Sequence, residues 1–197
     1  MRRTHRWRWI AGLGVVAVAL GGLALIGLGA AARPSWGDPA GPVWYYGRLV
    51  PIGERLARGV EPKCHDGLGP GILTCYDTNE ELAAATGLDL PGVDRARVEQ
   101  LRQSGAVVPV GCAYYAVLWE HASYGGRNFV LCYDYNDLRS VHFNDIASSI
   151  FIPSGAGVSA YFEHINFGGD RRTFTVSIPD LQVYSFNDRI SSARRGD

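Results

Sequence analysis

The 197-residue chain carries no net charge, because 19 Lys and Arg offset 19 Asp and Glu. A protein that grips nucleic acid needs a basic face, so the balance argues against that class of partner. No Cys-x-x-Cys occurs, and the four cysteines are not interleaved with histidine at zinc spacing, which argues against a thiolate metal site. The chain also lacks a Ser-His-Asp order, a histidine cluster of the metalloenzyme kind and a glycine-rich phosphate loop. These absences point away from an enzyme.

The charge that is present is unevenly placed. Arg2, Arg3, Arg6 and Arg8 crowd the start, whereas residues 109–197 hold nine acids against seven arginines. Residues 10–32, "IAGLGVVAVALGGLALIGLGAAA", then run 23 positions without a charge. At ~1.5 Å per residue a helix of that length reaches about 34 Å, enough to cross a bilayer. The arginines before it keep the N-terminus inside and send the rest of the chain out. Ala30-Ala31-Ala32 also fits a signal-peptidase site. Residues 1–37 are thus expected to be a signal peptide or an N-terminal membrane anchor. Either one places the remainder outside the cell or on the outer face of its membrane.

Export gives the cysteines meaning, because an even count in an oxidising compartment argues for disulfides. Cys64 and Cys75 lie 11 apart, and Cys112 and Cys132 lie 20 apart. Local pairing is the simplest of the three connectivities, and the sequence leaves the other two open.

Residues 38–108 read as a linker followed by a small disulfide-stapled α+β region. "KCHDGLGPGILTCYD" has two short runs around a glycine-rich turn. "DTNEELAAATG" places Asp77 and Glu80 at capping-box spacing and ends at Gly87, which predicts a short helix. "GVDRARVEQLRQSG" predicts a second, with a thin apolar stripe of Val93, Ala96, Val98 and Leu101. From Val107 onward aromatic and β-branched residues alternate with polar ones and glycine marks the turns, an all-β signature.

Within that β region the chain repeats itself. Residues 161–193 align on 118–150 without a gap, with 11 identities in 33 positions. The identities fall mainly in two clusters. The first is Trp119-Glu-His-Ala-Ser-Tyr124-Gly-Gly126, matched by Phe162-Glu-His-Ile-Asn-Phe167-Gly-Gly169. A hairpin folded back on its own sheet needs a glycine where φ turns positive, and aromatics can cover the fold. The second is Phe-Asn-Asp-x-x-Ser-Ser, at residues 143–149 and again at 186–192. Here an amide, a carboxylate, hydroxyls and free carbonyls can converge within six residues. His121 and His164, each behind the same Glu of the folding signature, read as structural or surface residues.

Both patterns, twice and in this order, resemble the βγ-crystallins, specifically their microbial calcium-binding members. The resemblance covers residues 113–195 and implies an all-β C-terminal domain, 109–197, in which two Greek-key motifs (about 113–153 and 156–195) form a sandwich. It further implies up to two Ca²⁺ ions, each drawing ligands from both motifs. Asp145 and Ser148 would ligate through side chains and Ile146 through its carbonyl, while Asn144 supports the loop or shares in binding. In the second loop Asp188 and Ser191 would use side chains, Arg189 its carbonyl, and Asn187 would match Asn144. Glu120 and Glu163 would sit near the ions through backbone carbonyls. Calcium chemistry agrees, since the ion takes about 6–8 oxygens in a flexible shell. Two departures stand out. The chain ends "SSARRGD", which predicts a frayed last strand, and Arg189 puts a cation within reach of an ion.

One segment, "GCAYYAVLWEHASYGGRNFVLC", is also similar to the cysteine-framed motif of secreted microbial metalloproteinase inhibitors with a crystallin-like fold. An inhibitor needs an exposed rigid loop and has no use for two intact calcium loops, so calcium binding is the leading expectation. The alternatives are a secreted peptidase inhibitor, whose partner is an extracellular protease, and a structural cell-surface domain without ion binding. Membrane contact is expected only through the N-terminal segment.

Overall fold

A computed structural model describes residues 42–69, 72–111 and 113–196. The expected signal or anchor, residues 1–37, lies outside the described residues, as does Cys112. Among the described residues no helix is long and apolar enough to cross a membrane.

In chain order, a hairpin of β1 (Pro42–Tyr45) and β2 (Arg48–Pro51) leads into α1 (Ile52–Ala57). Next come β3 (Lys63–His65) and β4 (Thr74–Tyr76), then α2 (Asn79–Thr86) and α3 (Arg95–Ser104). The first repeat supplies β5 (Ala116–His121), β6 (Gly125–Leu131) and β7 (Ser149–Phe151). The second supplies β8 (Ser159–His164), β9 (Gly168–Phe174) and β10 (Ser192–Arg195).

The two repeats fold alike. β5 pairs antiparallel with β6 and β7, and β8 pairs antiparallel with β9 and β10. Between its second and last strand each motif lends one residue to the opposite sheet. Tyr135 bridges Ala193, and Ile178 bridges Ile150. This exchange locks the sandwich, and the period-2 alternation read from the sequence fills it. Leu118, Phe129 and Ile150 on one sheet meet Tyr161, Phe174 and Ala193 on the other in a single buried cluster. The repeated pairs Leu138/Leu181 and Phe143/Phe186 are buried in the same core. Asp137 and Asp180 cap the short 3-10 turns that begin at Leu138 and Leu181, accepting from the Arg139 and Gln182 amides at 2.9 and 2.8 Å.

The expected frayed terminus is corrected by the structure, because β10 pairs with β8 at every residue from Ser192 to Arg195. Its charges are accommodated by the fold. The Arg194 guanidinium lies over Phe162 and Phe167, 5.6 and 5.5 Å from the ring centroids. Arg195 donates to the Ala113 carbonyl and lies 5.7 Å over Tyr115.

The region before the repeats shares the first motif's sheet. β3 pairs parallel with β6, from Lys63↔Asn128 to His65↔Val130, giving the seven-strand order β2-β1-β4-β3-β6-β5-β7. The Cys64–Cys75 disulfide staples β3 to β4. Cys132 is also disulfide-bonded. Both expected helices form, with one correction. The capping box is Thr78 with Glu81, one residue beyond Asp77 and Glu80, because the Thr78 hydroxyl accepts from Glu81 N at 3.2 Å while Glu81 accepts from Thr78 N at 3.1 Å. Leu82, Val98 and Leu101 of these helices pack on Val117, Trp119 and Val130, the outer face of the sheet. The first motif is therefore covered on both faces.

Candidate metal centre

The two Asn-Asp-x-x-Ser-Ser loops lie against each other and exchange backbone bonds. Asp145 N donates to the Ile190 carbonyl, and Asp188 N donates to the Ala147 carbonyl, both at 3.0 Å. Each aspartate sits in the left-handed region, at φ 55° and 52°, a conformation that Asp tolerates better than most residues. That geometry turns each carboxylate toward the other motif. The Ser191 hydroxyl donates to Asp145 Oδ1 at 2.8 Å, and the Ser148 hydroxyl donates to Asp188 Oδ1 at 3.3 Å. Each site therefore combines the Asp of one loop with the first Ser of the other.

The second serine of each loop has a different task. Ser149 donates to the His121 carbonyl at 2.7 Å and accepts from Tyr124 N at 3.1 Å. Ser192 repeats this with His164 and Phe167 at 2.6 and 3.1 Å. These bonds pin the folded-back hairpin to the last strand of its own motif. The glycines complete the fold. Gly126 and Gly169 have φ of 74° and 75°, and a Cβ on either would lie 2.9 Å from the ring of His121 or His164. The signature aromatics cover the bend edge to face, Trp119 on Tyr124 at 6.2 Å and Phe162 on Phe167 at 5.5 Å. Both histidines are exposed and back the glycines, in agreement with their structural reading.

Glu120 and Glu163 stand where the strand register shifts, a place where backbone groups leave the ladder. The neighbouring carbonyls of Trp119 and Phe162 accept from Ser148 N and Ser191 N at 2.8 and 2.9 Å, which brings both glutamates beside the loops. Their side chains do something the sequence reading missed. Glu120 accepts from Arg127 N, and Glu163 from Asp170 N, both at 3.3 Å, so each carboxylate caps the turn after its glycine. The identical spacing of Glu120 and Arg127 with Glu163 and Asp170 in the repeat is the signal that could have revealed it.

Arg189 does not leave a bare cation over the site. Its guanidinium donates to Glu163 Oε1 at 2.6 Å, to Asp170 Oδ2 at 3.2 Å and to the Ser185 carbonyl at 2.6 Å. The same contact holds the Glu163 carboxyl below its usual range, with the Asp170 amide adding to the effect.

The donor set fits a hard cation. Among the described residues no group of three or more His, Cys, Asp and Glu converges, and neither Asp145 nor Asp188 forms an ion pair. Among the described residues their carboxylates accept from neutral groups, the serine hydroxyls and the Asn144 and Asn187 amides at 2.5 and 2.7 Å. Asn144 Oδ1 is buried without a hydrogen-bond partner. Among the described residues no donor reaches the Ile146 or Arg189 carbonyl. The oxygens assembled are those calcium takes, with one loop carboxylate per site.

No protein-family model matches the chain, and no curated protein matches it. Solved structures do. The chain carries a βγ-crystallin-like domain. It is similar to a βγ-crystallin from Ciona intestinalis, at 29% identity over 41% of this chain and 98% of that one, with a TM-score of 0.39. An archaeal βγ-crystallin is 26% identical over 42% of this chain and 98% of its own, with a TM-score of 0.37. A βγ-crystallin domain from Clostridium beijerinckii is 27% identical over 41% and 94%, with a TM-score of 0.36. With scores this low, the fold assignment stands on the paired motifs and exchanged bridges rather than on superposition. The strands and helices before the repeats are additions to the crystallin-like unit.

Proposed function

We propose that the βγ-crystallin-like domain is a non-enzymatic calcium-binding module on an exported chain, with calcium stabilising the fold. One observation carries the reading. The Asp of each loop meets the Ser of the other, and neither carboxylate has a cationic partner among the described residues. Two negative charges held close without cationic partners repel each other and attract a divalent cation. Asp145 and Ser191 would hold one ion and Asp188 and Ser148 the other. The free Ile146 and Arg189 carbonyls and the backbone at Glu120 and Glu163 would complete the shells. Bound calcium supplies charge neutralisation and a bridge between motifs. Asn144 and Asn187 orient the carboxylates through their amide groups. The arginine-flanked apolar run supports export.

The test is thermal melting of the full chain, disulfides oxidised, in EDTA and in ~1–10 mM CaCl₂, a range set by weak extracellular sites. Calcium at about ten to a hundred times its dissociation constant adds roughly 1.4–2.7 kcal/mol, an upward shift of several degrees. Asp145→Asn and Asp188→Asn should each remove part of the shift and together abolish it. An unchanged melt in calcium refutes the proposal.

A further inference from the structure

Register partners across the seven-stranded sheet place Leu49, Trp44, Thr74, His65, Val130 and Val117 in one row on its outer face. α2 and α3 cover the Val130–Val117 end of that row. At the other end, over β1 and β4, the cover gives way to a groove of about 600 Å³. Its walls are Trp44, Tyr46, Leu68, Ile72 and Val108, with Thr74 in its lining. Val108 is 70% exposed, Leu68 57% and Trp44 39%, so the apolar tips face outward. Leu49, opposite Trp44 on β2, widens the same apolar surface.

The position of this surface along the chain indicates what covers it. The apolar run ends at residue 32, and residues 33–41 alone separate it from β1, whose Trp44 lines the groove together with Tyr46 of the following turn. Fully extended, those nine residues span about 30 Å. An uncleaved run therefore keeps the groove close to the bilayer. The groove's chemistry also suits a headgroup boundary, where Trp and Tyr place an apolar body against acyl chains and a polar edge against water.

We infer that this groove is a membrane-docking face, with Trp44 and Tyr46 at headgroup level and Leu68, Ile72 and Val108 dipping toward the acyl chains. The docking would set the calcium-binding domain in a defined orientation on the outer face of the membrane. It rests on the anchored form of the export reading and is independent of calcium.

The full chain, with Trp7, Trp9 and Trp36 replaced by Phe, is reconstituted in phosphatidylcholine–phosphatidylglycerol vesicles containing brominated lipid. Trp44 and fully buried Trp119 then remain as the emitters. Bromine should quench Trp44, and adding Trp44→Phe should reduce quenching to the level of Trp119 alone. Leu68→Asp with Val108→Asp should abolish Trp44 quenching while circular dichroism remains that of the folded chain. Resistance to alkaline extraction reports the anchor separately. An extraction-resistant chain with unquenched Trp44 overturns the docking face and leaves the anchor standing. Cleavage of the run, read from the N-terminal sequence of the membrane-extracted chain, removes the tether and also overturns the inference. Shielding of Trp44 by concentration-dependent dimerisation in lipid-free buffer also overturns it, in favour of a second copy.

Discussion

Acidification should weaken this fold through one buried histidine. His65 is fully buried in β3, and its Nδ1 accepts from Gly67 N at 3.0 Å. With that nitrogen acting as acceptor, the proton of the neutral ring resides on Nε2, 3.4 Å from the Tyr76 hydroxyl. Burial pushes the His65 pKa down from 6.5 to about 4. The unfolded chain therefore takes up a proton below pH 6.5 that the folded chain refuses until about pH 4. The contribution is fully present above pH 6.5 and is lost as pH falls through that window. At about 1.4 kcal/mol per pH unit and proton, going from pH 7 to about 4.5 costs roughly 2–3 kcal/mol. Glu163 and Asp137 also have lowered pKa values, through hydrogen bonds from Arg189 and Arg139, and also favour the folded state less in acid. Their loss begins only near the ordinary carboxylate range of about 4, so the two effects separate on the pH axis. Urea unfolding of the full chain at several values between pH 7 and 4.5 reads the slope. The His65→Asn variant keeps an acceptor for Gly67 N and removes the titrating ring, so its stability should change far less over the same range. Parallel pH curves for the two proteins would refute the assignment.

Two further outcomes follow from the repeated motifs. Gly126→Ala and Gly169→Ala force a side chain into a left-handed position beside a histidine ring, at a cost of about 1–2 kcal/mol from the backbone alone. A melting temperature unchanged by both substitutions would count against the fold-back geometry. The paired serines should separate by role. Ser149→Ala leaves the His121 carbonyl and Tyr124 amide without their partner and should cost about 1–3 kcal/mol even in EDTA. Ser148→Ala should be mild in EDTA and should diminish the calcium-dependent shift. The reverse pattern in denaturant titrations would exchange the two assignments.

Much of the crystallin-like unit was legible because duplication writes each constraint twice. A turn that needs positive φ shows as Gly126 and again as Gly169, and a core position shows as Leu138 and again as Leu181. Spacing alone did not separate adjacent roles. Ser148 and Ser149 are indistinguishable in sequence, yet one reaches the facing loop and the other pins its own hairpin, because successive residues entering a strand point to opposite sides. The family resemblance points to the backbone carbonyl of Glu120 and says nothing of its side chain, which accepts from Arg127 N and caps a turn. The charged end "SSARRGD" reads as an unfavourable strand by composition, and stacking of Arg194 on Phe162 and Phe167 makes it a regular one.

The sequence by itself determined the all-β repeat, the two folded hairpins and the oxygen-rich chemistry of the loops, and it made the Cys64–Cys75 staple the simplest of three pairings. Each of these depends on residues close in the chain, through a φ value, a periodicity or a short loop closure. Only the tertiary structure decided that β3 extends the first motif's sheet through β6, and that α2 and α3 hide Trp119. It also decided which aspartate faces which serine, and where the helical cover ends beside Trp44. Those features join residues tens of positions apart, and their pairing follows from which apolar faces can bury one another, a choice no local pattern encodes.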